Sequence, residues 1–214
     1  MRDVVVPKAR PGNETQAYSL EDLLKMLVVL PEPAATVVAM AAFTGARRGE
    51  IRGMLWENYR GDEIRITQSV FGSQADEPKT NKSKAPVPVI AALAKYLDKH
   101  RAASGHPATG LIFKSKTGSP MDLAQLARFV IRPALKDTGI EWHGWHAFRR
   151  GLATNLYRLG VPDKTIQAIL RHTDVSTTMR AYVKSVPADA TAAMKAFEAL
   201  CNQHATAAES GPCQ

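Results

Sequence analysis

Three short segments of this chain bring together residue types able to bind, attack and protonate a phosphate. They are Thr44-Gly45-Ala46-Arg47-Arg48-Gly49-Glu50, His146-Ala147-Phe148-Arg149-Arg150, and Leu170-Arg171-His172 with Tyr182 beyond it. Between the first two lies Pro78-Lys79-Thr80-Asn81-Lys82-Ser83-Lys84. Breaking a phosphodiester puts extra negative charge on the nonbridging oxygens. Arginine suits that demand, because it is always charged and grips phosphate with a fork of donors. A nucleophile must reach phosphorus, and the departing 5′ oxygen must receive a proton. A tyrosine phenol can attack once its proton, ordinarily held with a pKa of about 10, is removed or its anion is stabilised. Lysine and histidine can supply or relay protons. His146 and Arg149 stand three residues apart, so a helix would place them on one face. No Asp/Glu cluster suits a two-metal nuclease, and no Cys/His spacing suits zinc, so no metal or other cofactor is expected. Taken singly, each residue has an ordinary structural explanation. Trp142, His143, Trp145 and His146 also suggest stacking or metal binding, but helix packing explains them better because no third ligand is evident.

The charge pattern points the same way. The chain has 214 residues, with 28 Lys and Arg against 20 Asp and Glu, a formal net charge of +8. From Gly144 to Lys184 seven cations face Asp163 and Asp174, a net +5 over 41 residues. From Ser185 onward one lysine faces Asp189, Glu198 and Glu209. Positive charge concentrated in this way favours a polyanion partner, nucleic acid first. No apolar run approaches the roughly 18 residues of a membrane span, and the basic N-terminus has no apolar core behind it, so neither membrane association nor secretion is expected. Cys201 and Cys213 lie near the C-terminus and cannot staple the body of the fold, which favours a reducing, cytoplasmic setting.

The elements that must position these residues can be read from periodicity. Residues 1–18 carry Pro7, Pro11, Gly12 and Asn13 and read as a linker or arm. Ser19-Leu20-Glu21-Asp22 starts a helix with a capping-box pattern, continued by Leu23, Leu24 and Leu27. Residues 34–43 read as a buried helix that Gly45 breaks, with a basic amphipathic helix over 47–55. Alternation at Ile64, Ile66, Val87 and Val89 predicts a short antiparallel sheet over 62–90, its last strand an edge because of Pro86 and Pro88. Helical spacing returns at Ile90/Leu93/Leu97, Leu123/Leu126/Val130, Phe148/Leu152/Leu156, Ile166/Ile169/Leu170 and Met194/Phe197/Leu200. The expected class is mainly α with a small antiparallel β-sheet (α+β).

The segments named at the outset resemble those of tyrosine recombinases, the phage-integrase family, and the resemblance runs from about residue 17 to 200. It implies the tyrosine recombinase catalytic-domain fold over 19–203. The Ala, Ser and Gly content of 204–214 reads as a flexible tail, and with residues 1–18 alone ahead of the first helix the N-terminal core-binding domain usual in relatives is not expected. The resemblance implies a site-specific DNA recombinase that cleaves and rejoins DNA through a 3′-phosphotyrosine, without metal or ATP. By the same resemblance Arg47 and Arg149 would bind the scissile phosphate, with Glu50 as an orienting or structural partner. His146 would assist proton transfer, and His172 would hydrogen-bond the phosphate. Lys79 would be the general acid, with Lys82 and Lys84 close enough to compete, and Tyr182 the nucleophile. Arg48, Lys82, Lys84, Arg150, Arg171 and Arg180 are candidate DNA contacts. Two departures stand out. Many relatives have glycine where this chain has Arg171, and some place the tyrosine nine residues after the histidine, where this chain has Ala181. Tyr182 fits the ten-residue spacing. Expected partners are double-stranded DNA and, as the resemblance implies, a second copy of the chain docked on DNA through residues 187–203; the alternative for that segment is a helix packed in cis. The alternatives are a catalytically inactive DNA-binding relative and a type IB topoisomerase-like relaxation activity.

Overall fold

The computed structural model describes residues 16–72, 74–76 and 86–171. Helix α1 (Leu20–Val29) starts as its sequence requires. Ser19 Oγ accepts from the Asp22 N–H at 3.0 Å, and Asp22 Oδ2 accepts from the Ser19 N–H at 3.3 Å. Leu23, Met26 and Leu27 form its buried face. The segment before it is not a free arm at its C-terminal end. Tyr18 is buried, and its Oη accepts from the His143 N–H at 2.7 Å.

Helix α2 (Ala34–Thr44) is buried along its whole length except at Phe43. A helix that is apolar all round has no solvent face to keep, which explains its lack of amphipathic period. Neighbouring α1, α3 (Arg48–Arg52), α4 (Ala91–Ala103) and α7 (Trp145–Arg158) pack around it. Small residues at 34, 35, 39, 41 and 42 let these neighbours come close. Gly45 ends α2 in the left-handed region at φ 61°. A Cβ there would lie 2.7 Å from Leu170 Cδ2, so glycine meets both a backbone and a space requirement.

Helix α3 is shorter than the expected 47–55. Its C-cap, Gly53, approaches the backbone of residue 68 so closely that a Cβ would sit 2.9 Å from the Gln68 carbonyl. Gln68 Nε2 also donates to the Gly53 carbonyl at 3.0 Å. The expected single sheet is two ladders among the described residues. Strand β1 (Glu63–Arg65) pairs antiparallel with β4 (Pro86–Pro88), with Ile64 opposite Val87. Strand β2 (Ser69–Phe71) pairs with β3 (Gln74–Asp76). The prolines of β4 fit an edge because they lack the N–H that a second neighbour would need.

Helix α5 (Leu123–Leu126) is capped by Asp122 Oδ1, which accepts from the Ala124 N–H at 2.8 Å. It widens to π geometry over Ala127–Ile131 and returns to α geometry in α6 (Arg132–Leu135). The widening sits just before Pro133, whose ring would collide with the Phe129 carbonyl in a regular α-helix. Helix α7 then crosses α2, and α8 (Asp163–Leu170) packs on α7. Tyr18, Trp142, Trp145 and Phe148 form one aromatic cluster, with Tyr18 and Phe148 centroids 4.5 Å apart. Trp145 is therefore a core residue, and Trp142 is partly buried against the core.

Gly151 on α7 fixes how close the strap at Tyr18 can lie, since a Cβ would stand 2.4 Å from the Tyr18 carbonyl oxygen. Backbone cannot swing away as a side chain can. Gly151→Ala should therefore destabilise the fold by about 1–3 kcal/mol through overpacking. Thermal unfolding checks this, and an unchanged melting temperature would show that the strap does not depend on that contact.

Candidate active site

The turn between α2 and α3 builds the first half of the site. Thr44 Oγ1 donates to the Met40 carbonyl at 2.6 Å and accepts from the Ala46 N–H at 3.1 Å. That hydroxyl closes the end of α2 while Gly45 reverses the chain. Arg47 then becomes the N-cap of α3, and the Glu50 carboxylate folds back over it. Glu50 Oε2 accepts from the Arg47 N–H at 2.8 Å, and Oε1 accepts from Arg47 Nη1 at 2.9 Å. The Arg47 side chain is 41% exposed, whereas that of Glu50 is 8% exposed. Burial on its own would push the Glu50 carboxyl up. The charge of Arg171, the Arg47 N–H and the charge of Arg47 outweigh it and hold the carboxyl below the usual range.

Helix α7 supplies the second half. Arg149 is buried, and its Nη1 donates to the Gly45 carbonyl at 2.5 Å. Its Nη2 donates to the Leu170 carbonyl at the end of α8. One guanidinium thus joins α7 to the turn that carries Arg47 and to the C-terminus of α8. His146, one turn earlier, reaches the surface. Partial burial lowers its pKa below the ordinary 6.5, and the charges of Arg149, Arg150 and Arg47 lower it further. Glu50 opposes that shift. The imidazole is therefore mostly neutral at pH 7 and able to take a proton.

Arg47, Arg48, His143, His146 and Arg150 line one open cleft of about 930 Å³. Arg150 Nε also donates to the Gln16 carbonyl at 2.6 Å. Arg128 and Arg132, which sequence reasoning missed, also line the cleft. The available signal was their spacing of four residues on the polar side of the Leu123/Leu126/Val130 helix. The guanidinium of Arg128 lies 5.1 Å from the centroid of the exposed Phe129 ring. Arg149 is not among the cleft's lining residues; it lies behind, bonded to backbone. Arg171, expected as a DNA contact, is instead 3% exposed, and its Nη2 donates to Glu50 Oε2 at 2.7 Å. The left-handed bend at φ 54° ends α8 at this residue, and its side chain is buried rather than in solvent. Lys79, Lys82, Lys84, His172, Arg180 and Tyr182 lie outside the described residues, as does the segment 187–203. Among the described residues no group of three or more His, Cys, Asp or Glu is placed to hold a metal ion, and no helix is long and apolar enough to cross a membrane.

Residues 15–188 match the Phage integrase family. The chain belongs to that family. An integrase-family relative, the tyrosine recombinase XerC-like protein of Caldanaerobacter subterraneus subsp. tengcongensis, is 24% identical over 222 residues. That alignment covers 91% of this chain and 56% of the relative. An integrase of Streptomyces ambofaciens is 26% identical over 205 residues, covering 85% of this chain and 52% of its own. The chain thus spans about half the length of each. The fold is similar to that of the Tn1549 transposon integrase solved in complex with transposon right end DNA. That match has a TM-score of 0.72 at 17% identity, covering 91% of this chain and 69% of the other. It is also similar to lambda integrase, solved as a tetramer bound to a Holliday junction. Here the TM-score is 0.59 at 18% identity, with 83% and 50% covered. The mainly helical fold with short antiparallel ladders is thus that of tyrosine recombinase catalytic domains.

The site's electrostatics give a measurable quantity. In the free protein His146 should titrate below 6.5 by NMR, and Arg150→Ala should move it upward by removing one of the opposing charges. A His146 pKa above 6.5, or one indifferent to Arg150, would contradict this account.

Proposed function

We propose that this chain is the catalytic domain of a site-specific DNA recombinase. The observation that carries the reading is that Arg47 and His146, distant in sequence, line one cationic cleft in a chain of the phage integrase family. The proposed substrate is double-stranded DNA, whose backbone the cations lining the cleft would follow. Tyr182 Oη attacks phosphorus and the bond to the 5′ oxygen breaks, leaving a 3′-phosphotyrosine. Arg47 and His172 stabilise the charge on the nonbridging oxygens, the kind of contribution that usually dominates such catalysis, while the buried Arg149 adds its charge from its bonds to the Gly45 and Leu170 carbonyls. His146, mostly neutral in the free protein, assists proton transfer, and Lys79 protonates the 5′ oxygen. The new ester conserves the energy of the broken one, so a 5′ hydroxyl can reverse the step without ATP. When that hydroxyl comes from a partner strand, the strands are exchanged. Exchange needs more than one active site, and we assign the contact between copies to residues 187–203. The protein would act where its DNA is.

A nicked duplex that traps the covalent intermediate tests the reading. The full chain should form a protein–DNA adduct that Tyr182→Phe abolishes. No adduct with any duplex selected from a randomised pool would overturn it and leave a DNA-binding protein without cleavage. Relaxation of a supercoiled plasmid without strand exchange would point to topoisomerase-like chemistry instead.

Arg128 and Arg132 are proposed to contact phosphates in the cleft. Replacing both with alanine should weaken duplex binding and reduce the slope of log K against log salt by about 0.9 per lost contact. Binding titrations across a salt series measure this, and an unaltered slope would remove both residues from the interface.

A further inference from the structure

Arg171 is placed at a cost. It ends α8 with φ 54°, a backbone conformation that favours glycine over a residue with a Cβ. Its side chain is 3% exposed, and a buried cation needs compensation. Nε and Nη1 have no partner among the described residues, so the described compensation is the Nη2 bond to Glu50 Oε2 at 2.7 Å. That same carboxylate receives the N–H of Arg47 at 2.8 Å and its Nη1 at 2.9 Å. Arg47 is half-buried and lines the cleft, so on its own it would hold Glu50 from one side, with a side chain that also meets solvent. Arg171 holds the carboxylate from the interior.

We propose that Arg171 is a positioning residue for DNA cleavage: its pairing with Glu50 fixes the carboxylate that orients Arg47 at the cleft. The effect on cleavage rests on the recombinase reading above, whereas the effect on Glu50 rests on the pairing geometry alone. Among the described residues, three charged or titratable groups face Glu50. They are Arg47 at the start of α3, Arg171 at the end of α8, and His146 on α7, whose protonation Glu50 favours. Burial raises the Glu50 pKa, and the charge of Arg171 is the largest influence against it. Removing Arg171 therefore shifts the protonation of Glu50 toward neutral pH and loosens its hold on Arg47. A side chain that merely filled space would do neither.

The test uses the full chain with Arg171→Gly, which suits the left-handed backbone, and Arg171→Lys, which keeps the charge. The Glu50 carboxyl is followed by NMR titration. The adduct rate is measured on a nicked duplex selected with the wild-type protein, over a range of pH and normalised to the folded fraction. Arg171→Gly should move the Glu50 titration upward and slow adduct formation about 10- to 100-fold, as a misplaced phosphate-binding group does. The acid limb of its rate profile should move to higher pH, and Arg171→Lys should recover part of the rate. In a Glu50→Gln background, Arg171→Gly should cause no further loss. An unchanged Glu50 titration, or an equal loss in the Glu50→Gln background, would overturn the proposal. A wild-type chain that forms no adduct overturns the recombinase reading and with it any role of Arg171 in cleavage; the titration then still decides whether Arg171 holds Glu50.

Discussion

Two guanidinium groups and one carboxylate lie below the surface beside the Gly45 turn, and burying such charge is tolerable when each group is bonded to others. Much of the site follows from that constraint. Arg149 donates to the Gly45 and Leu170 carbonyls, so α7 must lie between the end of α2 and the end of α8. Glu50 takes three bonds from Arg47 and Arg171, so the start of α3 must meet the same end of α8. Breaking any one bond would leave a buried charge short of partners. The four elements are therefore held in register by polar chemistry as well as by packing.

Close backbone approach completes that frame. At Gly45, Gly49 and Gly151 a Cβ would come within 3.0 Å of a neighbouring atom. At Gly49 the neighbours are Ser69 Oγ and the Val70 backbone, so α3 lies against β2. At Gly151 it is the Tyr18 backbone, so α7 lies against the strap that leads into α1. Helix α2, buried on all sides, provides the floor on which these contacts converge. A residue at its C-terminus can move little without disturbing α3, α7 or α8.

On that rigid base the cleft gathers cations whose mutual repulsion has a chemical consequence. Arg149, Arg150 and Arg47 disfavour a proton on His146, which leaves a neutral imidazole among permanent charges. An anion entering the cleft would relieve the repulsion and favour protonation of the imidazole. Binding of a polyanion and movement of a proton are thereby coupled through ordinary electrostatics. The buried Glu50 takes no part as an acid, since its carboxyl is held ionised and already accepts three bonds.

The sequence by itself determined most of the local elements and nominated the reactive groups. Ser19 and Asp22 specify a helix start, Gly45 specifies a stop, and the periodicity of Phe148, Leu152 and Leu156 specifies a helix. These are near-neighbour effects, and near neighbours are what a sequence displays. It also supplied the order of motifs that marks the family. The tertiary structure alone decided where long side chains end. Arg171 reads as one more cation beside a histidine, yet it is buried and joined to a carboxylate 121 positions away. Arg128 and Arg132 belong to no motif, and only the fold sets them in the same cleft as Arg47. The division of residues 62–90 into two ladders, and the early end of α3 at Gly53, likewise depend on which backbones meet. The physical reason is the same in each case. Burial and partnership are properties of pairs of surfaces brought together by folding, and no single stretch of chain contains both members of the pair.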